Sequence, residues 1–149
     1  MNPKSHSLHR FILEQDFWYS KALEEIQSGK KQNHWMWFIF PQVSLGLTPT
    51  SLFYSIQSFK EAEDYLNHPV LGKRLHEMSD LLLNSMANST IEIFGEMDSI
   101  KLCSCMTLFS LISSKRENIF QRVLVKYYAG KSCEKTIDVL NDWGIRPKK

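Results

Sequence analysis

The run HWMWFIFPQ at positions 34–42 sets two tryptophans and two phenylalanines within six residues, opens on a histidine and closes on Pro-Gln. A stretch that apolar has to be buried or to cover a ligand, and the rest of the chain has to be built round it. Its polar ends, His34 and Gln42, are then the groups held at a pocket edge. Length and composition supply the means of burial: 149 residues make one domain of ordinary size, and 43% hydrophobic with 23% charged residues is a globular balance. Such a chain removes roughly 70% of its unfolded surface from water. The longest unbroken apolar run, Trp35 to Phe40, is far too short to span a membrane.

Helical spacing dominates the remainder. Leu8, Phe11, Ile12, Trp18, Tyr19, Ala22, Leu23 and Ile26 recur at three and four, with Ser7 as cap and Gly29 as stop. The aromatic run fits a short buried helix ended by Pro41 or a short buried strand, and the helix is preferred. Residues 43–49 read as a loop and 51–56 as a short helical segment. Ser58 with Glu61, and Ser89 with Glu92, have capping-box spacing. Between them Leu71, Leu75, Met78, Leu82 and Met86 trace the stripe of a long, central helix. Gly95 ends a turn, and further helices follow from about Asp98 to Ile112, Glu117 to Ala129 with Gly130 as the stop, and Ser132 to Asp142. The reading is all-α: one compact domain over 1–149 with six to eight helices and short tails at 1–6 and 144–149.

Charge and motifs exclude more than they assign. Eighteen basic against sixteen acidic residues give +2 spread along the chain, which does not indicate nucleic acid. The only basic cluster, Arg146, Lys148 and Lys149, is terminal. There is no GxGxxG, P-loop, HExxH, GxSxG, EF-hand loop or paired CxxC, so no cofactor or metal is expected. No apolar leader opens the chain, so cytoplasm is the default location. Cys103 and Cys105, two apart on a helix, point away from each other, and a disulfide between them is not expected.

Two groups of residues carry chemistry. Histidine is the residue type whose chemistry suits acid–base work near neutral pH, so His34 reads as a general base or a hydrogen-bond donor to a ligand phosphate or carbonyl, or as a helix-capping or half-buried structural histidine; beside it Trp35 and Trp37, two apart, need not share a face. Gln42 and Ser44, with the amides of Leu45 and Gly46, form a polar lip. Lys30 and Lys31 could attract a phosphate or complement the carboxyl end of the first helix, and solvated charge is the preferred reading. The second group, Asp98, Lys101, Ser104 and Thr107, is spaced by three along one helix: an acid, a base and two hydroxyls that make either a hydrolytic site or plain amphipathicity, with an Asp98–Lys101 surface pair.

Taken together, HWMWFIFPQ, Gly46-Leu47, Ser51, Tyr54, YLNHPVLGKRL at 65–75 and DSIKLCSCMTLF at 98–109 resemble a widespread family of small bacterial proteins catalogued as a domain of unknown function. The resemblance runs from the first helix to the last and implies an all-helical single domain; it implies no established activity. Some members carry the label calpastatin. Calpastatin is a disordered, repetitive inhibitor whereas this chain is compact and aromatic, so the label reads as a misannotation. Cys105 stands where the family pattern has serine, and Leu47-Thr48 where a glycine and a small residue are common.

The expectation that follows is a pocket between the aromatic segment and the helix beginning near Asp98. Trp35, Trp37, Gln42, Lys101, Ser104 and Thr107 would bind a small polar ligand of nucleotide or nucleotide-sugar type, and His34 and Asp98 would act as acid and base if the site is hydrolytic. The alternative is a non-catalytic module that docks a protein partner through exposed aromatics.

Overall fold

In the computed structural model the described residues are 3–44, 52–115 and 117–145. They form seven helices: α1 Pro3–Ser28, α2 Met36–Ile39, α3 Phe59–Asn67, α4 Leu71–Leu83, α5 Thr90–Ile112, α6 Ile119–Tyr128 and α7 Glu134–Asp142. The one β feature among them is an isolated parallel bridge between Val43 and Ile56, made where the Ile56 amide donates to Gln42 O at 2.9 Å. The chain is thus all-α, and the aromatic run is a four-residue helix stopped before Pro41. None of these helices is long and apolar enough to cross a membrane.

The capping signals act as their spacing requires, with one variation. Ser58 and Ser89 accept from the amides of Glu61 and Glu92, but each glutamate reaches the amide before the cap, Gln57 or Asn88. The N-terminus departs from expectation: α1 begins at Pro3, which has no amide proton to lose in a first turn, so the helix takes in most of the expected tail and Ser7 lies inside it. Likewise α4 stops at Leu83, leaving Met86 95% exposed. The cause is tertiary. Lys126 Nζ donates to the carbonyls of Leu82, Leu83 and Ser85 at 3.2, 2.7 and 2.8 Å, and Tyr127 OH to Leu82 O at 2.6 Å, so α6 caps the α4 carbonyls with a cation. At the end of α6 the left-handed residue is already Ala129 (φ 55), one before Gly130.

The central helix is α5 rather than α4. It is packed by α3, α6 and α7, and every residue from Leu102 to Phe109 except Cys103 is buried. A helix buried on nearly every side belongs in a core, and its small hydroxyl residues are tolerated where they are bonded, as those of Ser99, Ser104 and Thr107 are. Gly95 makes its position workable. At φ 82 and ψ 170 this residue breaks α5 into a short arm, 90–94, and the long buried segment, a conformation L side chains rarely adopt. The arm carries Phe94 against Trp35 and Phe40, with ring centroids 6.2 and 6.1 Å apart. A second aromatic column runs from Phe11 through Tyr65 to Phe109 and Phe120, joining α1, α3, α5 and α6.

Helices α3 and α4 meet at Gly72, where a β-carbon would lie 2.1 Å from Leu66 O. Backbone must therefore move in Gly72→Ala, and we expect a loss of about 2–3 kcal/mol. Urea and thermal denaturation read it as a melting temperature lower by roughly 5–10 °C.

Candidate functional site

The site grows out of the way α1 ends. Ser28 is followed by a turn in which the Gly29 and Lys30 amides donate to Ile26 O and Glu25 O, both at 3.0 Å, so the carbonyls of the last turn stay satisfied. The Glu25 side chain, 5% exposed, then gathers the link that follows. Its Oε1 accepts from the amides of Gln32 and Asn33 at 2.6 and 2.9 Å and from Trp35 Nε1 at 2.9 Å; Oε2 accepts from Asn33 Nδ2 at 2.6 Å. Burial alone would favour the neutral acid. The four donors outweigh it and bring the Glu25 carboxyl down to about 2.

Once the link is folded in this way, its lysine faces inward. The Lys31 amide donates to Ile93 O at 2.7 Å, and its ammonium reaches Asp98 Oδ2 at 2.8 Å with only 7% of the side chain exposed. Lys101 Nζ holds the other oxygen, Oδ1, at 3.0 Å. Burial opposes ionisation of Asp98, but the hydrogen bonds from Lys31 and Lys101 prevail and hold the carboxyl below its ordinary range. Lys101 also stands 4.0 Å from the ring centroid of Trp37, and Lys31 5.1 Å from that of Trp35. The result is a half-buried cluster of two ammoniums, one carboxylate and two indoles, with one net positive charge.

The residues singled out in the sequence divide accordingly. Asp98, Lys101 and Trp37 come together, and Trp37 is half-exposed. Trp35 is fully enclosed with its nitrogen already bonded to Glu25, so it stands in the core behind the cluster instead of walling a pocket. His34 is exposed at the start of the aromatic segment. Gln42 Oε1 is buried and has no hydrogen-bond partner among the described residues. Ser104 and Thr107 turn the other way. The Ser104 hydroxyl pairs with that of Thr136 at 2.6 Å, while Thr107 donates to Cys103 O at 2.8 Å and accepts from the Cys133 amide at 2.9 Å. Both are buried joints between α5 and the start of α7. Lys31, read as solvated, is the least exposed lysine of the cluster. Leu45, Gly46, Leu47, Thr48, Ser51, Arg146, Lys148 and Lys149 lie outside the described residues.

Sequence reasoning passed over Glu25. Its signal was position: Glu25 is three residues after Ala22 and next to Ile26, on the apolar stripe of α1, as Gln15 is four after Phe11. Gln15 is buried too, its Nε2 donating to Phe38 O at 2.6 Å and Tyr65 OH at 2.9 Å. A polar side chain on an apolar stripe has a partner to find.

Residues 5–140 match the family described as "Protein of unknown function (DUF1810)". The chain belongs to this family. Among solved structures it is similar to the crystal structure of the conserved hypothetical protein Rv1873 from Mycobacterium tuberculosis, with 42% identity, a TM-score of 0.85, and coverage of 89% of this chain and 94% of that one. No curated protein matches the chain. The resemblance seen in the motifs therefore holds for the family and its helical fold, and nothing in these comparisons assigns an activity.

The Glu25 shift fixes a pH dependence. Its folded value, about 2, is below the ordinary 4.5, so the stabilisation is present above about pH 4.5 and is lost as pH falls towards 2. We expect an acid-dependent loss on the order of 3 kcal/mol in the wild type over that window. Glu25→Gln, which sets an amide against four donors, should be less stable at pH 7 and lack this component of the acid dependence in urea titrations.

Proposed function

We propose that this protein binds a small anionic ligand that carries a ring, of the nucleotide or nucleotide-sugar class, over Trp37 and Lys101. The observation that carries the reading is the part-buried Lys31–Asp98–Lys101 cluster against Trp37. Packing has no use for three charges at such a position, since replacing a buried ion cluster by apolar side chains is often neutral or stabilising. A residual positive charge beside a half-exposed indole suits a phosphate on the ammonium and a ring on the aromatic surface.

Catalysis at this site would be hydrolysis. Asp98, held ionised by two lysines, is suited to orienting cations and not to delivering a proton, so the acid–base role falls to His34. The reading places the protein in the cytoplasm, where such ligands abound. A docking role is favoured by a different observation: Leu13 and Phe17, one turn apart on α1, are 59% and 78% exposed.

The test is a thermal-shift screen against nucleotides, dinucleotides, ADP-ribose and sugar phosphates, with Trp37→Ala, Lys101→Ala and His34→Ala run alongside. A ligand at about a hundred times its dissociation constant adds roughly 2.7 kcal/mol, on the order of five to ten degrees here. We expect such a shift in the wild type, its loss in the Trp37 and Lys101 variants, and retained binding without turnover in His34→Ala. A shift that survives in folded Trp37→Ala and Lys101→Ala would move the site elsewhere. No shift from any compound would remove the ligand reading and leave the α1 surface as the one to pursue.

A further inference from the structure

The cysteines that the fold brings together are not the neighbours in sequence. Cys103 lies on α5 and Cys133 immediately precedes α7, and one hydroxyl holds both backbones: Thr107 Oγ1 donates to Cys103 O at 2.8 Å and accepts from the Cys133 amide at 2.9 Å. The Cys103 thiol reaches 3.8 Å from Lys131 O, two residues before Cys133. Both thiols are free and half-exposed, whereas Cys105 is fully enclosed among core side chains. Cys133 is also the N-cap of α7 and makes no side-chain cap bond. Serine, threonine or aspartate would serve helix stability better there, so capping does not explain the thiol.

We propose that Cys103 and Cys133 form a reversible redox pair that closes into an intramolecular disulfide and ties α7 to the central helix. Disulfides require the two chains to approach within a few ångströms along compatible directions; the Thr107 hydroxyl, one turn from Cys103 on α5, ties the Cys133 backbone to that helix, and the Cys103 thiol already lies against the segment leading to Cys133. Burial first, and then the neighbouring Cys133 thiol, push the Cys103 thiol up to about 11, which makes it the slower nucleophile and gives it the second step.

With hydrogen peroxide as oxidant the electrons balance as follows. Cys133 sulfur attacks one peroxide oxygen and the O–O bond breaks; the other oxygen leaves as water with the thiol proton, and Cys133 becomes a sulfenic acid. Cys103 sulfur then attacks Cys133 sulfur, the S–O bond breaks, and hydroxide leaves with the Cys103 proton as a second water. Two electrons pass from the sulfurs to the peroxide. A small dithiol reverses the process by exchange.

The experiment treats the full chain with hydrogen peroxide, and separately equilibrates it in oxidised glutathione, then counts thiols in denaturant and maps peptides by mass. We expect three thiols to fall to one, with a Cys103–Cys133 cross-link within a monomer, Cys105 unmodified and full reversal by dithiothreitol. Closing a loop of roughly 30 residues should raise the melting temperature by on the order of five to ten degrees. Cys133→Ser, which places a good cap at α7, should fold normally and keep both remaining thiols. Three thiols left under both treatments, a link that includes Cys105, an intermolecular cross-link, or over-oxidation of one cysteine without a bond would each overturn the proposal.

Discussion

The carboxylate of Glu25 turns the end of α1 into the start of the aromatic segment. A helix end followed by a polar link has no intrinsic reason to stop in one shape, because each added residue brings backbone entropy of about 1–2 kcal/mol to be overcome. Four donors converging on two oxygens overcome it here, and the indole of Trp35 is one of them. The consequences spread outward. Trp35 is pinned in the core, Trp37 two residues on is turned to the surface, and Lys31 is pressed against α5 where Asp98 awaits it.

What receives that segment is α5, kinked at Gly95 so that its two parts do different work. The short arm offers Phe94 to the aromatic cluster and Ile93 O to the Lys31 amide. The long part runs through the middle of the domain, and its hydroxyls become structural: Ser104 and Thr107 anchor the approach and first turn of α7. An uncompensated buried hydroxyl costs about 1–3 kcal/mol, so these pairings are what permit a helix with Ser, Thr and Cys to be central.

The charged cluster is the exception to this logic of satisfied burial. Lys31, Asp98 and Lys101 satisfy one another, yet they leave a net positive charge in half-buried surroundings next to an indole. Replacing such a cluster by apolar side chains of the same volume is often neutral or stabilising, so packing alone does not account for it. Membership of the DUF1810 family, and 42% identity to a mycobacterial protein of the same fold, fix the scaffold on which that cluster is built.

Sequence by itself determined the class and most of the elements. Spacing at three and four marked the helices, Ser58–Glu61 and Ser89–Glu92 marked two starts, and Gly29 and Gly95 marked two breaks, because these signals are local and the chain obeys them locally. Only tertiary structure decided which helix is central, since a stripe of Asp98, Lys101, Ser104 and Thr107 reads as a solvated face until partners on α7 and the link are in place to satisfy it. The end of α4 at Leu83, set by Lys126 from α6, is of the same kind. So is the assembly of the candidate site. Lys31 and Asp98 are far apart in the chain, and Glu25, which brings them together, looks like any helix glutamate until its four donors are seen. Burial and hydrogen-bond partners are properties of the packed molecule; periodicity is a property of the chain.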